Sequence, residues 1–218
     1  MAIGDAMGVK DLVPVFLVNC AITAKVDYCA ECSSCAGKSS LVDLLLKFYV
    51  PARGTIRVNG HDVAAVATDS LRRHVILAEQ TTRIFHGSVL ENVQFDDRQH
   101  RCEAENALHL VGLAELLKTL PDGMDTMVAF QGANFSGGQR QRIGIARALV
   151  RTADVMVLDE STNALDAQTR KRILDTLLWS YKDRILIFVT HDAQVIERVD
   201  HVIELSANTS TREEALTS

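Results

Sequence analysis

The sequence predicts an α/β fold: a mostly parallel sheet with helices on both faces, some antiparallel strands and an inserted helical lobe. Three observations predict it. From Lys38 onward, short apolar runs alternate with amphipathic stretches, the pattern of parallel strands covered by helices. Residues 55–58 lead into Asn59-Gly60, a pair that supplies the positive φ angles of a tight turn and so sets antiparallel strands beside the parallel ones. Between Gly87 and Gln131 the strand signal fades and helical stretches replace it, which marks the inserted lobe.

Taken in order, the elements follow from local chemistry. Gly37, Lys38 and Ser39 open a helix whose apolar face includes Leu41, Leu44 and Leu45. The strand at 55–58 comes next, then helical stretches at 89–93, 103–111 and 114–119. Arg140, Arg142 and Arg147, with Arg151 to follow, stand at helical spacing and read as a solvated or phosphate-facing helix. Residues 155–158 and 185–189 are β-branched or leucine-rich runs of buried-strand length, each ending in polar residues with catalytic potential. Ser210 and Glu213 have capping-box spacing ahead of a short helix ending near Leu216. No internal repeat or low-complexity segment interrupts the order.

Composition bounds the function. A chain of 218 residues with 47% hydrophobic content can bury a core and has the size of one large domain or two small lobes, with one compact unit as the expectation. A formal net charge of -5 gives no general attraction to phosphate backbones, so no nucleic-acid partner is expected. The longest nearly uncharged apolar run, residues 12–24, contains Pro14 and Asn19 and falls short of the roughly 18 to 20 residues that span a bilayer. No transmembrane helix is expected. The start lacks the basic and apolar blocks of a secretory signal, so a reducing cytosolic setting with five free thiols is expected.

Three segments carry chemistry. Cys32, Ser33, Ser34, Cys35, Ala36, Gly37, Lys38, Ser39 and Ser40 lead into the first helix, where backbone N–H groups and the positive helix end face anions. A lysine there reaches terminal phosphates and the hydroxyl of Ser39 binds magnesium. Residues 155–158 end in Asp159 and Glu160: the aspartate holds magnesium and the neighbouring carboxylate orients an attacking water. Phe135 is followed by Ser136, Gly137, Gly138 and Gln139, which offer a hydroxyl and unobstructed N–H groups at a second helix start. Two phosphate-grasping helix starts in one chain suggest two chains sharing nucleotide.

Phe135 to Leu149, FSGGQRQRIGIARAL, resembles the signature of ABC ATPases almost residue for residue, and the order of the other motifs agrees. The resemblance covers about residues 36–205 and implies a P-loop NTPase-type domain that binds ATP and Mg2+ and hydrolyses ATP. It gives Gln80 as the glutamine sensing magnesium and the transmembrane partner. It also gives Asn163-Ala164-Leu165-Asp166 as the loop contacting the opposite subunit, and His191 as the switch histidine near the γ-phosphate. Catalytic roles fall to Glu160, His191 and Gln80, and metal contacts to Ser39, Gln80 and Asp159. It implies a core lobe of residues 1–86 and 135–218, a helical lobe of 87–134, and a homo- or heterodimer of ATPase domains. The partner is a transmembrane domain on another chain or in a lost segment, so the domain sits peripherally on the cytoplasmic face of the plasma (inner) membrane. Phe85-His86-Gly87-Ser88, Glu91-Asn92-Val93, Leu120-Pro121-Asp122-Gly123 and Gly132-Ala133-Asn134-Phe135 are similar to the exporter branch, with Phe130 where that branch often has an acid.

Residues 1–35 fit the family poorly. By register residues 18–22 take the strand before the phosphate loop, yet Asp27 and Glu31 fall at apolar positions and Cys32 and Cys35 replace glycines. No aromatic residue precedes Pro14 to stack on adenine. Besides divergence, three explanations stay open: a damaged reading frame before Ala36, a truncated remnant, or a zinc or iron–sulfur site at Cys29, Cys32 and Cys35. The alternative function is a nucleotide-binding structural subunit that does not hydrolyse ATP. A DNA-repair relative would need a long heptad insertion, which the sequence lacks.

Restoring glycine at both Cys32 and Cys35 should tighten ATP binding. A β-carbon where the backbone approaches phosphate closely adds strain of order 1 to 3 kcal/mol, and about 1.4 kcal/mol is tenfold in affinity. Nucleotide titration of both proteins checks it: equal affinities show that the cysteines are tolerated.

Overall fold

A computed structural model of the chain describes residues 2–3, 20–24, 38–51, 54–58, 60–94 and 101–205. The elements in chain order are β1 (Ala2–Ile3), β2 (Cys20–Ala24), α1 (Lys38–Leu45), β3 (Ile56–Val58), β4 (His61–Asp62), α2 (Thr68–His74), β5 (Val75–Ala78), β6 (Gly87–Ser88), α3 (Val89–Gln94), α4 (Arg101–Leu110), α5 (Ala114–Thr119), β7 (Met127–Val128), α6 (Gly137–Val150), β8 (Val155–Asp159), α7 (Ala167–Ser180), β9 (Ile185–Val189), α8 (Ala193–Ile196) and β10 (His201–Leu205). The fold is mixed α/β, as the sequence predicts. Residues 29–37 and the stretch at 210–216, which carry the cysteine triplet, the start of the phosphate loop and the terminal helix of the sequence reading, lie outside the described residues.

The chain divides into two units, residues 1–72 with 189–218 and residues 73–188. In the first, β2 and β10 pair in parallel with Cys20 opposite His201 and Ala24 opposite Leu205. The strand expected at 18–22 is thus found two residues later. β3 pairs antiparallel with β4, as the Asn59-Gly60 turn predicts, and Gly60 takes a φ of 80°; β3 also pairs antiparallel with β1, a strand the sequence reading did not include. Helix α1 buries Leu41, Val42 and Leu45. Just after it, Lys47 adopts a φ of 57°, and its Nζ donates to the carbonyls of Ala64 at 2.8 Å and Val66 at 2.6 Å. A lysine in left-handed backbone is uncommon. Here two carbonyl bonds hold the end of the helix to the turn after β4.

In the second unit β5 and β8 pair in parallel, Val75 opposite Val155 and Ala78 opposite Leu158, with β9 on the far side of β8. Four of the five residues of β8 and all five of β9 are buried, which is why both read as continuous apolar runs rather than alternating ones. β9 has the bounds the sequence predicts, and β8 extends one residue further to take in Asp159. Helix α6 packs against α3, α4 and β5. The three helices expected between Gly87 and Gln131 are present as α3, α4 and α5, and the short antiparallel pair β6–β7 joins the two ends of that segment.

The residues with exporter-branch resemblance near α3 have a local structural reason. Ser88 and Glu91 form reciprocal bonds, Ser88 N–H donating to Glu91 Oε2 at 2.9 Å and Glu91 N–H to Ser88 Oγ at 3.1 Å. These bonds satisfy donors at the helix start. Asn92, buried, donates through Nδ2 to the carbonyls of Phe85 and Ser88 and accepts from Phe85 N–H at 2.8 Å.

Leu177 of α7 has no exposed surface. Leu177→Ala should therefore cost about 2–5 kcal/mol of stability. Urea unfolding should show a lower midpoint with an unchanged slope.

Candidate functional site

In the first unit the first residue of α1, Lys38, meets His191, which follows β9. Lys38 Nζ is hydrogen-bonded to His191 Nε2. Ser39 and Ser40 are exposed in the same first turn, and no acidic residue lies in it. This cluster of donors has the chemistry to receive a phosphate.

In the second unit Gln80 and Glu160 leave the sheet at the same edge, because β5 and β8 are parallel neighbours. Ligands gather at such carboxyl ends of parallel strands. Asp159 ends β8, and Glu160 follows at a φ of 45°, a left-handed conformation uncommon for a side chain with a β-carbon. Glu160 Oε2 accepts from Gln80 Nε2 at 3.0 Å and from Asn163 Nδ2 at 3.1 Å. Strained backbone and a side chain gripped by two amides fix where the carboxylate points. Asp166 then caps α7, accepting from Thr169 N–H at 2.9 Å, and hydrogen bonds from Thr169 hold its carboxyl below the usual range.

Ser136 caps α6 in a full capping box: Gln139 N–H donates to Ser136 Oγ at 3.2 Å, and Ser136 N–H donates to Gln139 Oε1 at 2.7 Å. Since Ser136 Oγ acts as acceptor in the box, its O–H proton remains a donor for an anion. The glycines have a further reason beyond access to backbone N–H groups. A β-carbon on Gly138 would lie 2.8 Å from the carbonyl oxygen of Ala164, so α6 could not approach the loop after β8 with any other residue there.

Arg151 is exposed, as a solvated row would have it, but the other three arginines of the row are half-buried and anchored on main chain. Arg140 donates to the carbonyls of Gly132 and Phe135, Arg142 to those of Gly138 and Gly112, and Arg147 to those of Arg83 and Asn92. Arg147 also stands 5.0 Å above the Phe85 ring, and burial pushes its guanidinium pKa down to about 10. Periodicity alone cannot show this, because guanidinium groups reach carbonyls supplied by distant loops.

Sequence reasoning missed Gln141. It is buried on α6 at the same phase as Ile145 and Ala148, so a polar residue on an apolar stripe was the available signal. Asn163, expected to face an opposite subunit, bonds Glu160 of its own chain. Where ligand chemistry is concerned the described residues fit: an ammonium and a hydroxyl suit phosphate oxygens, and the carboxylate of Asp159 suits a hard divalent cation.

Gly138→Ala should destabilise the chain by about 1–3 kcal/mol, because the crowding atom is a backbone oxygen that cannot rotate away. Equilibrium unfolding checks this, with Gly60→Ala as a control for backbone strain in open space, since nothing lies within 4 Å of its added carbon.

The ABC transporter family model matches residues 33–163. The ATP-dependent lipid A-core flippase of Alkalilimnicola ehrlichii is 36% identical over 174 residues, 79% of this chain and 30% of that protein. The flippase of the same name from Xanthomonas campestris pv. campestris is 38% identical over 171 residues, 77% of this chain and 29% of that protein. A bacterial Atm1-family ABC exporter with ATP bound superposes with a TM-score of 0.79 at 32% identity, covering 86% of this chain and 32% of that one. The chain thus spans about a third or less of the length of these relatives. Since the family model alone matches more than half of its residues, the chain belongs to the ABC transporter family.

Proposed function

We propose that the chain is the ATP-binding and ATP-hydrolysing domain of an ABC exporter, working as a head-to-tail dimer. The observation that carries this reading is the Glu160 carboxylate, held by Gln80 and Asn163 beside Asp159 at the end of β8. Lys38 binds the terminal phosphates, with Ser39 and the backbone leading into α1 beside it. Ser39, Gln80 and Asp159 would hold magnesium, which would supply positive charge to offset that of the phosphates. Glu160 accepts a hydrogen bond from the attacking water and orients it toward the γ-phosphorus, while His191 lies near that phosphate with Lys38. Across the dimer, Ser136 to Gln139 of the second copy face the same nucleotide and add the hydroxyl and N–H groups of their helix start.

In this reading residues 87–134 make up the helical lobe and residues 1–86 with 135–218 the core lobe. The partner is a transmembrane domain, in keeping with the flippase and exporter names of the relatives, and it places the domain on the cytoplasmic face of the membrane. Among the described residues no helix is long and apolar enough to cross a membrane. A surface open to that partner is a cavity of about 200 Å³ in the second unit, bordered by Glu79, Thr82, Phe85, Arg147 and Arg151. Phe85 is 45% exposed there, and Glu79 is joined directly to Gln80, so a docked partner would bear on the residue that grips Glu160.

Glu160→Gln should lower phosphate release on the order of 10²–10⁴-fold with ATP affinity kept, because the amide retains the shape of the carboxylate but cannot polarise water. ATP-bound dimers should accumulate in sedimentation. Release at the wild-type rate would remove Glu160 from the mechanism.

A further inference from the structure

A buried side-chain amide needs partners for its donor and its acceptor, and Gln141 has one for each. Its residue is 6% exposed. Nε2 donates to the carbonyl of Gln80 at 3.2 Å, and Oε1 accepts from the N–H of Ala164 at 3.0 Å. The orientation of the amide is fixed by chemistry, since a carbonyl only accepts and a backbone N–H only donates.

Those two backbone groups belong to the loops that grip Glu160. Gln80, anchored through its carbonyl, donates its side chain to Glu160 Oε2. Asn163, the neighbour of the anchored Ala164, donates to the same oxygen. The hydrogen bonds and one peptide link close a ring from Gln141 through Gln80, Glu160, Asn163 and Ala164 back to Gln141. One turn earlier on α6, Gly138 lies so close to the Ala164 carbonyl that helix and loop have no room to slide together. The capping residue of that helix is Ser136.

We infer that Gln141 is a positioning residue that ties the start of α6 to the Glu160 carboxylate of the same chain. The inference rests on the proposed function, in which Ser136 faces nucleotide held by a second copy. It goes beyond that reading by giving a route within one chain: a shift of the Ser136 end reaches the carboxylate through one buried amide. Coupling between two sites is carried by a contiguous physical network, and the ring is a continuous connection between them. In a dimer, occupation of one site by nucleotide would thereby set the geometry of the other.

The test uses the full chain with ATP and magnesium. Gln141→Leu removes both hydrogen bonds, and Gln141→Asn keeps an amide too short to span both loops, which guards against a variant that does not fold. Each should lower kcat about tenfold or more while the KM for ATP stays within about twofold, the pattern of an interaction used only in turnover. Asn163→Ala should do the same, and Gln141→Asn combined with Asn163→Ala should lose less than the product of the two single losses, since one of the two arms of Gln141 runs through Asn163. Losses that multiply, or an unchanged kcat, overturn the inference.

Hydrogen exchange at the Ala164 amide reads the clamp without turnover. It should be at least about tenfold faster in both Gln141 variants. Equal exchange overturns the inference whether or not the chain hydrolyses ATP. A wild-type chain that binds ATP without releasing phosphate overturns the proposed function alone, and the exchange result then decides the inference.

Discussion

The second unit depends on how α6 is held. Arg140, Arg142, Arg147 and Gln141 all leave this one helix and end on backbone groups of other segments. Charged donors on neutral carbonyls are among the stronger hydrogen bonds, and a buried amide left without partners is costly. The helix therefore has little freedom to rotate about its axis or slide along it. Its first turn, its buried glutamine and the loops after β5 and β8 are set by the same bonds.

This constraint explains residues that chemistry alone would leave unexplained. Gly138 is needed for contact with the loop after β8 as well as for open backbone donors. Gly144 shows the same economy of space, since a β-carbon there would fall 2.3 Å from Thr82 Oγ1, two residues beyond Gln80. Glu160 keeps a left-handed backbone because its side chain is tied to Gln80 and Asn163. A conformation of this kind persists only where its surroundings over-determine it.

Much of the architecture was legible in the sequence, for identifiable reasons. β9 was legible to the residue because a buried parallel strand is apolar throughout, and α5 because its helical stretch has the same bounds. Parallel pairing of β5 with β8 explains why two polar segments far apart in sequence act at one edge. What the sequence hid were bonds between side chains and distant main chain. The arginines of α6, at helical spacing, read as solvated or phosphate-facing, yet Arg140, Arg142 and Arg147 donate to the carbonyls of Gly132, Gly112 and Asn92. Gln141 was hidden because a glutamine beside two arginines reads as surface. The strand before the phosphate loop was displaced by two residues, where Cys20 and Thr23 blur its apolar pattern.

The central claim is that one ATP site is built from Lys38 of one copy and Ser136 of another. Mixing two variants tests it most directly. Lys38→Ala spoils the site that its own phosphate loop would form, and Ser136→Arg spoils the site that its own helix start would complete. Paired head to tail, the two variants rebuild one site from an intact Lys38 and an intact Ser136. The account predicts phosphate release from the mixture well above the sum of the two variants measured alone, at concentrations where the wild-type chain is active. Release equal to that sum would contradict it.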